Sequence, residues 1–152
     1  MTKKCCFAGH GKIFYTESTY AKLLDIARKL IVEENVTEFF VGNYGNFDLL
    51  CTKAVQHLKK TYPHLQLTLV IPYITADINK HPQIYNKNFD GILLADIPSG
   101  TPKRFYILKC NEFTVRLSDF MICYVKNDFG GAYKTLSVAE KKQIDIFNLA
   151  QE

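Results

Sequence analysis

The sequence predicts an α/β fold in three layers, with a mostly parallel sheet and helices on both faces. Three observations predict it. Short apolar runs alternate with longer segments whose apolar residues recur at helical spacing. Polar and glycine-rich stretches follow the apolar runs, where strand-to-helix turns belong. The chain has 152 residues, the length of one domain, so 1–152 is expected to form a single unit.

Cys5–Ala8 is an apolar run ended by glycine and reads as a buried strand. Ser18–Glu34 places Leu23, Leu24, Ile26, Ala27, Leu30 and Ile31 on one face of a helix. Thr37–Gly42 is a second buried strand. Phe47–Tyr62 is a second helix, with Leu49, Leu50, Ala54, Val55 and Leu58 on one side and Pro63 closing it. Gln66–Ile71 is a third strand, ended by Pro72. Thr75–Pro102 is weakly patterned, holds Pro82, Pro98 and Pro102, and reads mainly as a long excursion. Within it Phe89–Ala95 fits a short strand or a helix. Excursions of this length are uncommon and often functional. Phe105–Val115 reads as a helix and Asp119–Val125 as a strand. Gly130-Gly131 opens a turn into a helix over Ala132–Lys142, and Ile144–Leu149 is a last short strand. Such alternation implies right-handed βαβ units, with ligands outside the carboxyl ends of the strands where strand order switches.

Hydrophobic residues make up 47% of the chain and charged residues 22%, which excludes disorder as the main state. A chain of this length buries roughly 68–70% of its unfolded surface, enough for a core without disulfides or metals. No apolar run approaches the roughly 18 residues of a membrane span, so no membrane partner is expected. Lys3-Lys4 precedes an apolar stretch as in a signal peptide, but the stretch stops at Gly9, short of the roughly 7–15 residues a signal needs. A cytoplasmic protein is expected. Cys5, Cys6, Cys51, Cys110 and Cys123 form no C-x-x-C pair and no zinc-ligand spacing with histidine. Free buried thiols are expected, with no metal and no cofactor. The net charge of +4 comes from scattered doublets such as Lys59-Lys60, Lys103-Arg104 and Lys141-Lys142. Nucleic acid, which ordinarily meets a denser basic patch, is not the expected partner. A small anionic ligand needs only a few well-placed donors.

Three segments follow predicted strands: Gly9-His10-Gly11-Lys12, Gly42-Asn43-Tyr44-Gly45-Asn46-Phe47-Asp48, and Asn127-Asp128-Phe129-Gly130-Gly131-Ala132. The second and third run directly into helices, whose N-termini offer unpaired N–H groups and partial positive charge to an anion. Each glycine alone is explained by a tight turn; the three loops on one sheet edge point to a nucleotide-sized ligand. None is G-x-G-x-x-G or a P-loop, which disfavours dinucleotide redox chemistry and ATP hydrolysis. His10 reads as a structural hydrogen-bonder or as a base. Asp48 reads as a helix-start carboxylate or as an acceptor for ligand hydroxyls. Asn111 can meet a base or sugar, and Ser118-Asp119 equally forms a turn. Tyr44, Phe47, Tyr73 and Phe129 stack on a base or belong to the core and its rim.

Together these segments resemble the SLOG superfamily, which joins the DprA/Smf and LOG ("lonely guy") Rossmann-like domains. More narrowly the chain resembles the YpsA-like DUF1273 group of Gram-positive bacteria and their phages. Phe7-Ala8-Gly9-His10 is similar to that group's opening strand, and Phe40 through Asp48 to its second-strand turn. Pro102-Lys103-Arg104-Phe105, Asn111, Ser118-Asp119, Cys123-Tyr124-Val125 and Gly130-Gly131-Ala132 follow its second half in order. The resemblance implies a Rossmann-like three-layer sandwich that binds nucleotides, nucleotide-derived signals or nucleic acid at the glycine-rich edge. LOG enzymes cleave the N-glycosidic bond of nucleoside monophosphates with a P-G-G-x-G-T-x-x-E motif and an arginine. Here Tyr133 and Ser137 stand at the third Gly and the Glu, and Cys110 stands where the Arg precedes Asn111. A serine cannot stabilise the positive charge that develops on the sugar.

The expected function is therefore non-covalent binding of a nucleotide or nucleotide-derived signal, of ADP-ribose type, as a sensor or a sequestering protein. The expected ligand residues are Gly9, His10, Gly42, Asn43, Tyr44, Gly45, Asp48, Arg104, Asn111, Gly130, Gly131 and Ala132, with Lys12 as a further source of charge. The alternative is N-glycosidic cleavage or transfer, as in the LOG enzymes and the nucleoside deoxyribosyltransferases, with Asp48, Glu112 or Glu140 as the carboxylate. A third reading is nucleic-acid binding in the manner of DprA. A homodimer is expected from the relatives.

Overall fold

The computed structural model describes residues 1–150; Gln151 and Glu152, the end of the expected domain, lie outside the described residues. The strands are β1 (Lys3–Gly9), β2 (Val36–Val41), β3 (Gln66–Ile71), β4 (Gly91–Leu94), β5 (Phe120–Tyr124) and β6 (Asp145–Asn148). The helices are α1 (Glu17–Glu34), α2 (Asn46–Lys59), α3 (Ala76–Lys80), α4 (Pro82–Asn88), α5 (Tyr106–Arg116) and α6 (Gly131–Lys142), with one 3-10 turn at Lys103–Phe105.

The strands form one sheet in the order β4-β3-β2-β1-β5-β6, and every pairing is parallel. The chain steps from β1 outward to β4, then crosses back to lay β5 on the other side of β1. That reversal is a topological switch point between β1 and β5. The central strands are covered on both faces, so they read as continuous apolar runs without polar alternation.

Alternate residues of the strands feed two cores. Cys5, Phe7, Phe39, Phe120 and Ile122 pack with the buried faces of α1 and α2. Cys6, Ala8, Phe40, Met121 and Cys123 pack with α5 and α6. The α1 stripe is Leu23, Ala27, Leu30 and Ile31, and the α2 stripe includes Leu50, Ala54, Val55 and Leu58. Each such side chain contributes roughly 1.5–3 kcal/mol when fully buried. Helix α1 starts with a reciprocal cap between Thr16 and Thr19 and ends at Asn35, whose left-handed backbone (φ 59°) stops it. All five cysteines are free and buried. Burial pushes the Cys6 thiol up to about 11 and those of Cys110 and Cys123 up to about 12, so their reactive thiolate forms are scarce near neutrality.

The Thr75–Pro102 stretch differs from expectation. It holds α3, α4 and the edge strand β4, so the excursion is mostly structured, and Phe89–Ala95 resolves as a strand. Asp90 sets that strand in place: its carboxylate accepts the Leu67 N–H at 2.7 Å and pairs with Lys59. Among the described residues, no helix is long and apolar enough to cross a membrane.

Candidate functional site

The carboxyl ends of β1 and β5 meet at the switch point. Gly9 pairs with Tyr124, and the His10 N–H donates to the Tyr124 carbonyl at 3.3 Å. Three loops open around this junction. The first supplies Gly9, His10 and Gly11. The second supplies Gly42, Tyr44 and Gly45, with Asp48 in the first turn of α2. The third leads into α6, which supplies Gly131, Ala132 and, one turn on, Thr135. Ile107 and Asn111 of α5 close the remaining side, and the whole lines a cleft of about 250 Å³.

The first two loops are stitched together. The Asn46 N–H donates to the Gly11 carbonyl at 3.0 Å. The Asn46 side chain accepts the Ile13 N–H and donates to the Ile13 carbonyl, both at 2.8 Å. Gly45 lies so close to Gly11 that a side-chain carbon would sit 2.5 Å from the Gly11 Cα. At Gly9 the same carbon would sit 2.6 Å from Cγ of the Phe47 ring, which is fully buried. These two glycines therefore serve packing. Phe47 belongs to the core.

His10 ties the first loop to the third. Its Nε2 accepts the N–H groups of Lys126 at 2.9 Å and Asn127 at 3.3 Å. In this arrangement Nε2 carries no proton and Nδ1 does. The histidine is thus a structural hydrogen-bonder at the cleft's edge.

The start of α6 is built differently. Gly130 caps it with φ +91°, a backbone that favours glycine, and no side chain caps the helix. The N–H groups of Gly131, Ala132 and Tyr133 meet no acceptor among the described residues. A side chain at Gly131 would meet nothing within 4 Å. The cleft therefore ends on open donors and the positive end of a helix. No lysine or arginine lines it.

Among the described residues, Asp48 is the one carboxylate on the lining. Its Oδ2 accepts the Tyr44 N–H at 3.0 Å, and it has no ion-pair partner among the described residues. Burial raises its pKa above the ordinary 3.8, against the lowering effect of the Tyr44 N–H. Burial also lifts the Tyr44 hydroxyl, with Cys110, Tyr73 and Asp48 adding to the effect.

Some expected residues stand elsewhere. Asn43 lines a neighbouring cleft of about 330 Å³ between α2 and α4, which shares Gly42, Gly45 and Asp48 with the first. Arg104 is exposed, with its guanidinium 4.8 Å from the Phe105 ring, and does not line the cleft. Gly130 shapes the α6 entry without lining it. Glu112 pairs with Lys109 at 3.2 Å on α5. Glu140 is exposed late in α6. Neither is on the lining. Lys12 is exposed. Gly11, Ile107 and Thr135 line the cleft without standing among the expected ligand residues. Thr135 lies four residues after Gly131 and bonds its carbonyl at 2.9 Å; that helical spacing is the signal that would have found it.

No protein-family model matches the chain. It is 28% identical over 119 residues to UPF0398 protein BH1768 of Halalkalibacterium halodurans, covering 74% of this chain and 63% of that relative. The chain thus spans less than two thirds of the curated relative's length. In fold it is similar to DNA processing protein A of Helicobacter pylori, with a TM-score of 0.66 at 19% identity over 99% of this chain and 66% of that one. It is likewise similar to the molybdenum cofactor carrier protein of Chlamydomonas reinhardtii, with a TM-score of 0.64 at 10% identity over 100% of this chain and 79% of that one. A six-stranded parallel sheet, a glycine-lined switch point and this sequence relationship agree with the resemblance drawn from residues Phe7–His10 and Phe40–Asp48: the chain has a Rossmann-like fold and is similar in sequence to a UPF0398 protein.

Proposed function

We propose that the chain binds a nucleotide or nucleotide-derived signal in the β1–β5 cleft and leaves it intact, as a sensor or a sequestering protein. One observation carries the reading: three strand-end loops converge on a cleft whose floor includes the unengaged N–H groups at the start of α6. Those groups suit phosphate. Asp48 and Asn111 stand on the same lining to take ribose hydroxyls or a base edge, the groups that ADP-ribose offers. Glycosidic cleavage ordinarily uses two carboxylates across the bond, and here neither Glu112 nor Glu140 lines Asp48's cleft. A structural neighbour described as a cofactor carrier also fits holding rather than breaking. The same reading makes the protein cytoplasmic, from a Gram-positive bacterium or its phage. It pairs as a homodimer through exposed apolar helix positions such as Val32.

Two further readings each have a specific observation. The lone carboxylate Asp48, whose pKa burial raises above its ordinary value, favours N-glycosidic cleavage or transfer. The DprA neighbours, one described by its single-stranded DNA binding mode, favour nucleic acid in the same cleft. The low expectation for nucleic acid drawn from scattered lysines therefore has no support in the fold.

Calorimetric titration with ADP-ribose, AMP and an oligothymidylate near 150 mM salt, followed by chromatography of the recovered ligand, separates the three. The proposal expects saturable nucleotide binding with intact recovery. Free base at turnover, lost in Asp48→Ala, selects the enzyme. Binding of the oligonucleotide alone selects the DprA-like reading.

A further inference from the structure

Asp48 stands between two clefts. Gly42, Gly45 and Asp48 line both the cleft at α6 and the cleft of about 330 Å³ between α2 and α4. A side-chain carbon at Gly42 would sit 3.2 Å from Asp48 Oδ2 and 3.3 Å from the Tyr44 ring. Glycine there leaves room for Asp48 and Tyr44 beside the shared lining.

The two clefts differ in chemistry. The first offers backbone N–H groups and no cation. The second has Lys53, which has no ion-pair partner among the described residues, and the amides of Asn43, Gln56 and Asn88. Gln56 spends its Nε2 on the Asn88 carbonyl at 3.1 Å, which leaves its own carbonyl oxygen free. Tyr85 adds an aromatic wall, stacked on Phe89 with centroids 6.5 Å apart. Each cleft alone lies near the lower edge of the roughly 300–1,000 Å³ usual for ligand pockets.

Charge narrows the ligand further. A helix N-terminus supplies about half a positive charge. A terminal phosphomonoester brings roughly −1.5 to −2 at pH 7, here with no cation on the lining and a carboxylate facing the same space. A bridge carries one negative charge per phosphorus, so a phosphodiester, or either phosphorus of a pyrophosphate, brings less charge to the helix end than a terminal phosphomonoester does.

We infer that the ligand is a two-unit nucleotide joined through a phosphodiester or pyrophosphate, with its bridge against α6, ribose hydroxyls on Asp48, and its second unit in the Lys53 cleft. This rests on the nucleotide-binding reading above. A terminal nucleoside monophosphate would leave the second cleft empty and concentrate its charge on one phosphorus where it is least compensated.

The test compares three probes by calorimetry: AMP, ADP-ribose and the dinucleoside monophosphate adenylyl-adenosine. At least one two-unit probe is expected to bind tenfold or more tightly than AMP. Lys53→Glu reverses the charge in the second cleft, and Leu49→Trp fills it from an exposed position; each shrinks that ratio toward one. Lys22→Glu, on the exposed side of α1, leaves it unchanged. A ratio that survives both cleft variants overturns the inference. Equal affinity for all three probes, lost in Ala132→Glu, overturns it too and leaves the site reading standing. If no probe binds, both fall.

Discussion

The imidazole Nε2 of His10 accepts the backbone N–H of Lys126 at 2.9 Å, across 116 positions of sequence. This contact, with the weaker one to Asn127, joins the end of β1 to the loop that delivers α6. It holds the open helix end over the cleft. His10→Ala removes two hydrogen bonds, each contributing about 0.5–1.5 kcal/mol net. A melt of that variant is expected to shift down by about 2–4 °C for each kcal/mol lost in a chain of this size. An unchanged melting temperature would mean that the loop holds its place without the histidine.

The glycines divide into two groups that substitution can separate. Gly45→Ala pushes a methyl into the Gly11 backbone and is expected to cost roughly 1–3 kcal/mol, as overpacking does. Gly131→Ala meets open space and has no left-handed backbone to strain. It is expected to keep or raise stability, by up to about 0.5–1 kcal/mol, while weakening ligand binding by crowding the α6 donors. Denaturant titration and calorimetry on the same two proteins test both halves.

Asp48 gives a pH signature. Its folded pKa lies above its ordinary value because burial disfavours the charged form. The folded state then binds more protons than the unfolded state between those two values, so stability falls as pH rises through that window. The penalty is absent below the unfolded pKa and complete above the folded one. Asp48→Asn removes it and keeps an oxygen for the Tyr44 N–H. The variant is expected to be at least as stable as the parent at pH 7, with the difference closing toward pH 4, and to bind ribose hydroxyls less well. A difference that grows on acidification would contradict the assignment.

Lys142 closes the C-terminus of α5. Its ammonium donates to the carbonyls of Val115 at 3.0 Å, Arg116 at 2.6 Å and Ser118 at 3.0 Å. A cation at a helix C-terminus contributes typically 0.3–1 kcal/mol, up to about 2 when partly buried. Lys142→Met keeps the aliphatic stem and is expected to lose about that much. A chemical melt should show a lower midpoint with an unchanged slope.

The parts of the fold legible in the sequence are those whose burial writes a pattern. Cys5–Ala8 and Asp119–Val125 are covered on both faces and read as continuous apolar runs; the α1 stripe from Leu23 to Ile31 repeats at helical spacing over about two turns. Thr75–Pro102 defeated the same reasoning because α3 and α4 are too short to show a period. Strand β4 is held by the nonlocal contacts of Asp90 with Leu67 and Lys59, which no local window contains. At the site, the three loops were legible as glycine clusters following strands. Their separate roles were not. Gly9 and Gly45 owe their identity to Phe47 and Gly11, distant in sequence and adjacent in space. Ile107 lies in a segment read only as a helix, with nothing local to tie it to the strand ends. The Glu112–Lys109 pair lies three residues apart on one helix and was readable in principle as a surface pair.

Backbone amide resonances of an isotope-labelled chain, followed during titration with ADP-ribose, test the binding cleft most directly. Large, saturable shifts at Gly131, Ala132 and Tyr133, with the ligand recovered whole, are the predicted result. Unmoved resonances at those three residues while others respond, or the appearance of cleaved ligand, would contradict it.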